Sequence, residues 1–316
     1  MAVRVVKGIE NYRKGRGLSL ALGNFDGVHL GHQRLIRDTI RDARQRDTEA
    51  AALIFDPHPM KVLRPDRAPR MLISTARKLE IFEALGLEVV VQTPFTRDIA
   101  RMTPEYFARA VLHETLGVAA VFVGFNYTFG HKGEGVPATM QALGHQLGFA
   151  VHVVPPVRVG NAVVSSTLVR QAIEAGDVTT AHSLLGYWPM LEGPVVEGER
   201  RGASIGFPTA NMGVPDDLVV PATGVYAARA LVRDTWCGAV VNVGRKPTFH
   251  ADFPLAIEAH LFDFHRVIYG ETMRLYFLQR LRGEKKFRDV GELTAQIARD
   301  AQEARRVIEA IRFTPF

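Results

Sequence analysis

The stretch GNFDGVHLGH, residues 23–32, decides the fold of the first half of this chain. An apolar segment, Leu18–Leu22, precedes it and predicts a β-strand, and the pattern of Gln33–Arg46 behind it predicts a helix. Glycines at such a turn let the backbone approach a phosphate, and the amides at the start of the helix favour negative charge. The stretch therefore predicts a phosphate-binding turn between a buried strand and a helix.

His29 and His32 stand three residues apart in this stretch, so both imidazoles can donate to one triphosphate. Such donors suit nucleotidyl transfer, because the attacking phosphate is already a nucleophile and the enzyme mainly orients groups and stabilises developing charge. Two alternatives remain, a metal-binding pair and ordinary surface histidines. The combination of strand, Gly-rich turn, HxGH and helix favours the phosphate interpretation.

Strand and helix patterns continue to alternate along the first half, which predicts right-handed crossovers and a doubly wound parallel sheet. Ligands bind beyond the carboxyl ends of the strands in such sheets. Further strands are predicted at Ala51–Phe55, Val89–Val91, Ala119–Val123 and Phe149–Val154, and further helices at Ser74–Leu85, Thr103–Leu116 and Val136–Leu147.

The second half has a different pattern of residues. Two short helices interrupted at Gly176 are predicted before Gly186, and from Leu191 short apolar runs alternate with glycines and prolines. This pattern predicts a small antiparallel barrel. Apolar residues at helical spacing between Asp289 and Ile311 predict a helix that closes the barrel.

Composition limits the classes of protein that fit. A length of 316 residues favours two domains, and 47% hydrophobic residues suffice for two cores. No apolar run is long enough to span a bilayer, so we expect a cytoplasmic protein without a membrane partner. The single cysteine, Cys237, excludes an internal disulfide. A formal charge of +6 fits nucleic acid, an anionic surface or phosphorylated ligands.

Three more segments of the first half follow predicted strands or begin helices. They read FDPHP at 55–59, VGFNYTFGHKGEG at 123–135 and VSSTLVR at 164–170. Each has an ordinary alternative, respectively a rigid turn, an exposed loop and a helix cap. Together with HxGH, the signature of the nucleotidylyltransferase superfamily, they resemble the FMN adenylyltransferase module of bacterial bifunctional riboflavin kinase/FAD synthetases.

This resemblance implies site residues as well as a Rossmann-like fold. His29 and His32 would be catalytic, and His58 and Asn126 would bind flavin. The implied ATP-binding residues are Gly23, Phe25, Asp26, His29, His32, Ser165, Ser166, Thr167 and Arg170. Many relatives carry a basic residue shortly before the SST run, where this chain reads NAVV at 161–164, and its nearest candidate is Arg158.

In the second half, RGASIGFPTAN at 201–211 contains Thr209 and Asn211, whose side chains face one side of an extended chain. Mg²⁺ prefers such oxygen ligands and retains waters and nucleotide phosphates, although PTAN taken alone favours an ordinary turn. Companion segments follow at 221–229 (PATGVYAAR), 241–249 (VNVGRKPTF), 257–264 (IEAHLFDF) and 281–287 (LRGEKKF). The set resembles the riboflavin kinases.

That resemblance implies a six-stranded antiparallel barrel in which Glu258 is the base for the ribityl hydroxyl and Thr209 and Asn211 hold the metal. The alternative for Glu258 is an exposed strand residue between buried neighbours. Gly198, Gly202 and Gly206 would let loops approach ATP phosphates, although barrel turns need glycine in any case.

We therefore predict an FMN adenylyltransferase domain at 1–186 and a riboflavin kinase domain at 187–316. The expected cofactor is Mg²⁺, with ATP as co-substrate and riboflavin, FMN and FAD as substrates and products. Three alternatives compete: a single-activity enzyme, a nucleic-acid-binding protein that uses the positive charge, and a pantetheine-phosphate or nicotinamide-mononucleotide adenylyltransferase. The last gives no account of PTAN and the barrel, and we expect no nucleic-acid partner. The sequence leaves the oligomeric state open.

Overall fold

The computed structural model describes residues 2–198, 202, 205–213, 216–245 and 255–316. The chain forms two compact units. The first comprises Met1–Arg70 and Ser74–Ser165, and the second comprises Met71–Ile73 and Ser166–Phe316. The helices between 166 and 185 thus group with the second unit, and the domain boundary at 186 stays a prediction.

A six-stranded, wholly parallel sheet forms the centre of the first unit, which confirms the predicted doubly wound α/β fold. Strands β2 and β4 are buried throughout, as expected when helices cover both faces. The strands are β1 (Arg4–Lys7), β2 (Leu18–Leu22), β3 (Glu49–Phe55), β4 (Val89–Thr93), β5 (Val118–Gly124) and β6 (Ala150–Val154).

The order of the strands is β1-β4-β3-β2-β5-β6. From β2 the chain first adds β3 and β4 on one side and later adds β5 and β6 on the other. The strand order therefore reverses between β2 and β5, and ligands bind at such a switch point. The turn at residues 23–32 follows β2 directly, and the segment at 123–135 begins at the end of β5.

Two predicted helices of the first unit begin directly after the polar residue that starts each predicted range. Ser74 and Thr103 each accept a hydrogen bond from the third backbone N–H of their helix, and Gly86 ends its helix at φ 89°. The helices are α1 (Leu30–Arg46), α2 (Pro59–Leu63), α3 (Thr75–Leu85), α4 (Arg97–Arg101), α5 (Pro104–Tyr106, continued by π-helical Phe107–Thr115) and α6 (Pro137–Leu147). A short hairpin, β7 (Arg158–Val159) and β8 (Ala162–Val163), follows β6.

The second unit is built on a closed antiparallel barrel in the order β10-β13-β12-β11-β14-β9, which confirms the predicted six strands. The strands are β9 (Met190–Val196), β10 (Ala210–Met212), β11 (Gly224–Val232), β12 (Thr235–Arg245), β13 (Leu255–Leu261) and β14 (Thr272–Arg282). Its helices are α7 (Ser166–Glu174), α8 (Val178–Leu185) and α9 (Val290–Ala310).

Helix α9 closes the barrel, as predicted. Its buried residues Ala304, Val307 and Ile308 pack in one cluster with barrel residues of β11, β12 and β14 and with Trp188. The buried Asp300 on the same helix accepts hydrogen bonds from the guanidinium of Arg282 at the end of β14. Within the described ranges, no helix combines the length and apolarity needed to cross a membrane.

Candidate nucleotide and flavin sites

The turn after β2 has a strained, tightly packed backbone. Phe25 lies in the left-handed region at φ 50°, and Gly27 follows at φ 79°. The ring of Phe25 is fully buried and meets Phe82 edge-on at 5.3 Å, and Asp26 is also buried. A Cβ on Gly23 would lie 3.3 Å from the Phe25 ring. Phe25 can therefore meet a nucleotide through its backbone but not through its ring.

His29 and His32 are brought together at the start of α1. Their rings stack with centroids 3.7 Å apart and an interplanar angle of 14°. The backbone N–H of His32 donates to Nδ1 of His29 over 3.3 Å, so a neutral His29 carries its proton on Nε2. Nδ1 of His32 is buried without a hydrogen-bond partner among the described residues. The pair is thus stacked and largely buried, unlike two ordinary surface histidines.

Burial keeps both rings neutral. It lowers the pKa of His29 to about 4. The pKa of His32 lies well below its usual value, first because of burial and then because of the neighbouring His29 and Lys78. Two neutral stacked imidazoles can each present an N–H to an anion without repelling one another. The alternative of ordinary solvent-exposed histidines does not fit this burial.

The same shift predicts acid sensitivity. Unfolded His29 gains a proton below about pH 6.5, whereas the folded ring gains it only near pH 4, so stability is lost as pH falls through that window. The variant His29→Asn retains an acceptor for the His32 N–H but no titrating ring. We expect lowering the pH from about 7.5 to about 5 to reduce the unfolding free energy of the wild-type first unit by about 2 kcal/mol more than that of His29→Asn. Amide hydrogen exchange of β2 and β5 measures this difference, and equal acid losses would contradict it.

The strands on either side of β2 supply the predicted flavin residues. After β3, Nδ1 of His58 accepts the backbone N–H of Met60 over 3.2 Å and caps α2. After β5, Asn126 lies exposed in a turn, and a Cβ on Gly124 would be 3.6 Å from its Oδ1. Both residues therefore follow strands adjacent to β2 at the carboxyl edge of the sheet.

The SST run lies where the two units are divided along the chain. Ser165 belongs to the first unit, and Ser166, Thr167 and Arg170 to the second. Ser166 begins α7, and Thr167 is exposed in its first turn. The guanidinium of Arg158 is exposed and donates to the carbonyl of Asn161 within its own hairpin over 2.8 Å.

In the barrel, strand register places three polar side chains in a row. Glu258 on β13 is directly opposite Asn211 on β10, and on its other side it is opposite Asn242 on β12. Residues paired in this way share a face, with their Cβ atoms about 5 Å apart. The carboxylate of Glu258 therefore lies between two amides, on the outer face of the barrel, while its neighbours Ile257 and Ala259 point into the core.

Asn242 was not among the residues predicted from the sequence. Its signal is the alternation in Val241-Asn242-Val243, where a polar residue separates two buried valines. A Cβ on Gly244 would lie 3.3 Å from both the amide of Asn242 and Oε1 of Glu284. The carboxylate of Glu284 therefore lies near Asn242, at one end of the row.

At two of the predicted glycines, Gly198 and Gly202, neighbouring atoms leave no room for a side chain. A Cβ on Gly198 would collide with the amide of Asn211, and one on Gly202 would collide with the carbonyl of Phe207 and lie 3.4 Å from Oγ1 of Thr209. Gly206 instead adopts a left-handed turn at φ 86°. The structure thus brings Gly198 and Gly202 to the predicted metal ligands Asn211 and Thr209. The parts of the quoted motifs at 201, 203–204 and 246–249 lie outside the described residues.

Comparison with known proteins matches both halves of the chain. Residues 12–168 match the FAD synthetase family and residues 185–308 match the riboflavin kinase family. The bifunctional riboflavin kinase/FMN adenylyltransferase of Bacillus subtilis (strain 168) is 38% identical over 297 residues, covering 93% of each chain. The protein of that name from Escherichia coli (strain K12) is 34% identical, covering 96% of this chain and 97% of its own.

A solved structure is also similar over nearly the whole chain. It is the crystal structure of a macrolide-efflux protein from Streptococcus pneumoniae, with a TM-score of 0.87 and 30% identity, covering 96% of this chain and 99% of that one. The matches to two families and the extent of the similarity to the curated relatives agree with the two sites. The chain belongs to the family of bifunctional riboflavin kinase/FMN adenylyltransferases.

Proposed function

We propose that the barrel phosphorylates riboflavin to FMN and that the turn after β2 adenylylates FMN to FAD, each with its own ATP. Phosphorylation comes first, because the phosphate that it installs is the acceptor of the adenylyl group. The kinase assignment rests on the row Asn211–Glu258–Asn242. In this row the strand register places the carboxylate of Glu258 next to the predicted metal ligand Asn211. We place both reactions in the cytoplasm, because both consume ATP.

For adenylyl transfer, a phosphate oxygen of FMN attacks the α-phosphorus of ATP and pyrophosphate leaves. His29 and His32 donate their N–H groups to phosphate oxygens on which charge develops, and the amides of the Gly-rich turn assist them. The hydroxyls of the SST run and the guanidinium of Arg170 bind the pyrophosphate. His58 and Asn126 bind the flavin substrate. No protein nucleophile takes part.

For phosphorylation, the ribityl 5′-hydroxyl of riboflavin attacks the γ-phosphorus of the second ATP. Glu258 accepts the hydroxyl proton, and ADP leaves. Oγ1 of Thr209 and the amide oxygen of Asn211 are hard, neutral ligands that would hold Mg²⁺, and its remaining positions would be open to water and to nucleotide phosphate. When bound, the ion neutralises charge on the triphosphate.

One assay tests both assignments. Purified protein is incubated with riboflavin, ATP and Mg²⁺, and FMN and FAD are followed by chromatography. We expect FMN to appear first and FAD to follow. Failure to form FAD even when FMN is supplied would contradict the adenylyltransferase assignment. Failure to convert riboflavin to FMN, in a protein that still makes FAD from supplied FMN, would contradict the kinase assignment.

The domain boundary that we propose, between residues 186 and 187, has its own test. Trp188 packs in the cluster beneath α9, and Pro189 accepts a hydrogen bond from the backbone of Phe277, so a kinase fragment needs both residues. We expect fragment 187–316 to make FMN from riboflavin but no FAD. Fragment 166–316, which retains α7 and α8, is the matched control. Activity in the longer fragment alone would move the boundary to 166, and a soluble but inactive pair would show that the barrel does not function by itself.

A further inference from the structure

Lys78 is a buried ammonium that the mechanism above does not use. It lies on α3 with 4% of its surface exposed, and its Nζ donates to the carbonyl oxygen of Asn24 over 2.9 Å. Isolated charges are costly to bury, and a methionine or leucine would fill the same space without that cost. The bond to Asn24 joins this ammonium to the Gly-rich turn after β2.

Two carboxylates offset the buried charge. Burial lowers the pKa of Lys78, and Asp26 in the turn and Asp56 at the end of β3 act in the opposite direction. Oδ2 of Asp56 in turn accepts Nε2 of Gln92 on β4 over 2.7 Å. The ammonium thus lies near two carboxylates, in a polar cluster at the carboxyl ends of three neighbouring strands, β4, β3 and β2.

The bond to the Asn24 carbonyl also fixes the orientation of the peptide group between Asn24 and Phe25. In a planar trans peptide the C=O and the N–H point in opposite directions. Because the carbonyl of Asn24 points to the buried Nζ, the N–H of Phe25 points away from it. Phe25 holds its left-handed conformation with a fully buried ring, so its backbone has little freedom to turn otherwise.

We propose that Lys78 is a positioning residue for adenylyl transfer: by binding the Asn24 carbonyl it aims the Phe25 N–H, and the turn that leads to His29 and His32, at the phosphates of ATP. With its Nζ bound beneath the turn, Lys78 acts through the turn and does not contact the nucleotide. This inference rests on the function proposed above for the turn.

The test compares Lys78→Met with the wild type in full-length protein. Methionine retains the buried volume but removes the charge and the donor. We expect kcat for FAD formation from supplied FMN to fall about 10²-fold, as for other lost donors of charge-stabilising sites, while KM for ATP changes less than about threefold. Lys14→Met, a substitution of an exposed lysine in the same unit, is the matched control and leaves kcat unchanged.

Coupling to His32 separates positioning from a general loss of structure. If Lys78 acts through the turn, removing it where His32 is already alanine should lower kcat less than about threefold further, because the donors of the turn and His32 act on the phosphates as one unit. A merely structural role would give the same fold-loss in both backgrounds, which would overturn the proposal. So would near-normal kcat in Lys78→Met.

Two further variants keep the test decisive if Lys78→Met does not fold. Lys78→Arg retains the charge and a donor and should recover at least a tenth of the wild-type kcat. Lys78→Met combined with Asp56→Asn removes one charge of each sign, so the net charge of the cluster equals that of the wild type. It also retains an acceptor for Gln92, yet it should remain about 10²-fold slow. Wild-type kcat in a folded double variant would overturn the inference. Wild-type protein that makes no FAD would instead overturn the proposed function, so the two failures are distinguishable.

Discussion

Glu258→Gln is expected to lower the turnover of riboflavin phosphorylation by about 10²–10⁴-fold, with little change in the affinity for riboflavin or ATP. Glutamine retains the size and hydrogen-bonding capacity of the side chain between Asn211 and Asn242 but cannot accept the hydroxyl proton. FAD formation from supplied FMN should be unchanged, because its nucleophile needs no deprotonation by this residue.

Steady-state kinetics of both activities on one Glu258→Gln preparation, with its fold checked by thermal melting, makes this measurement. Glu303→Gln, a change of an exposed glutamate on α9 of the same unit, is the matched control. Near-normal kinase turnover would assign Glu258 to the ordinary outer face of the barrel. Proton transfer would then fall to another residue, and Glu284 near Asn242 would be the next to test.

His32→Ala is expected to lower FAD formation from FMN by about 10²–10³-fold and to leave FMN formation from riboflavin nearly intact. The substitution removes an N–H donor whose ring is held by stacking on His29 and by contact with Phe25. His145→Ala, which removes an exposed histidine from α6 of the same unit, is the matched control. Equal losses of both activities in a stably folded His32→Ala protein would contradict the assignment.

Local sequence predicted the elements, because helix caps and hydrophobic periodicity act over a few residues. Ser74, Thr103 and Gly86 mark helix ends by their own side chains or backbone freedom, and all three have these roles in the structure. Strand β1 and the short helices α2 and α4 were not predicted. The four residues of β1 begin and end with charged side chains, and only pairing with the distant β4 makes them a strand.

The residues of the candidate sites also differ in how far the local sequence could predict them. Residues within one motif, such as His29 and His32, could be assigned from spacing. Asn242, Glu284 and Lys78 could not, because their significance depends on barrel register or on packing of a helix against a turn far away in sequence. Register is a property of paired strands, so a single strand's sequence does not contain it.

The closure of the barrel has a consequence for synthesis of the chain. Strand β9 comes first in its unit but pairs with β14, which comes last, so the barrel has two open edges until residue 282 has left the ribosome. All strands of the parallel sheet have emerged by Val154, well before β9. Exposed edges are sites of aberrant strand pairing. A chain that stalls after synthesis of β13 but before β14 therefore exposes the unpaired edges of β9 and β11 and is most prone to aggregation at that stage. Its parallel sheet is by then complete.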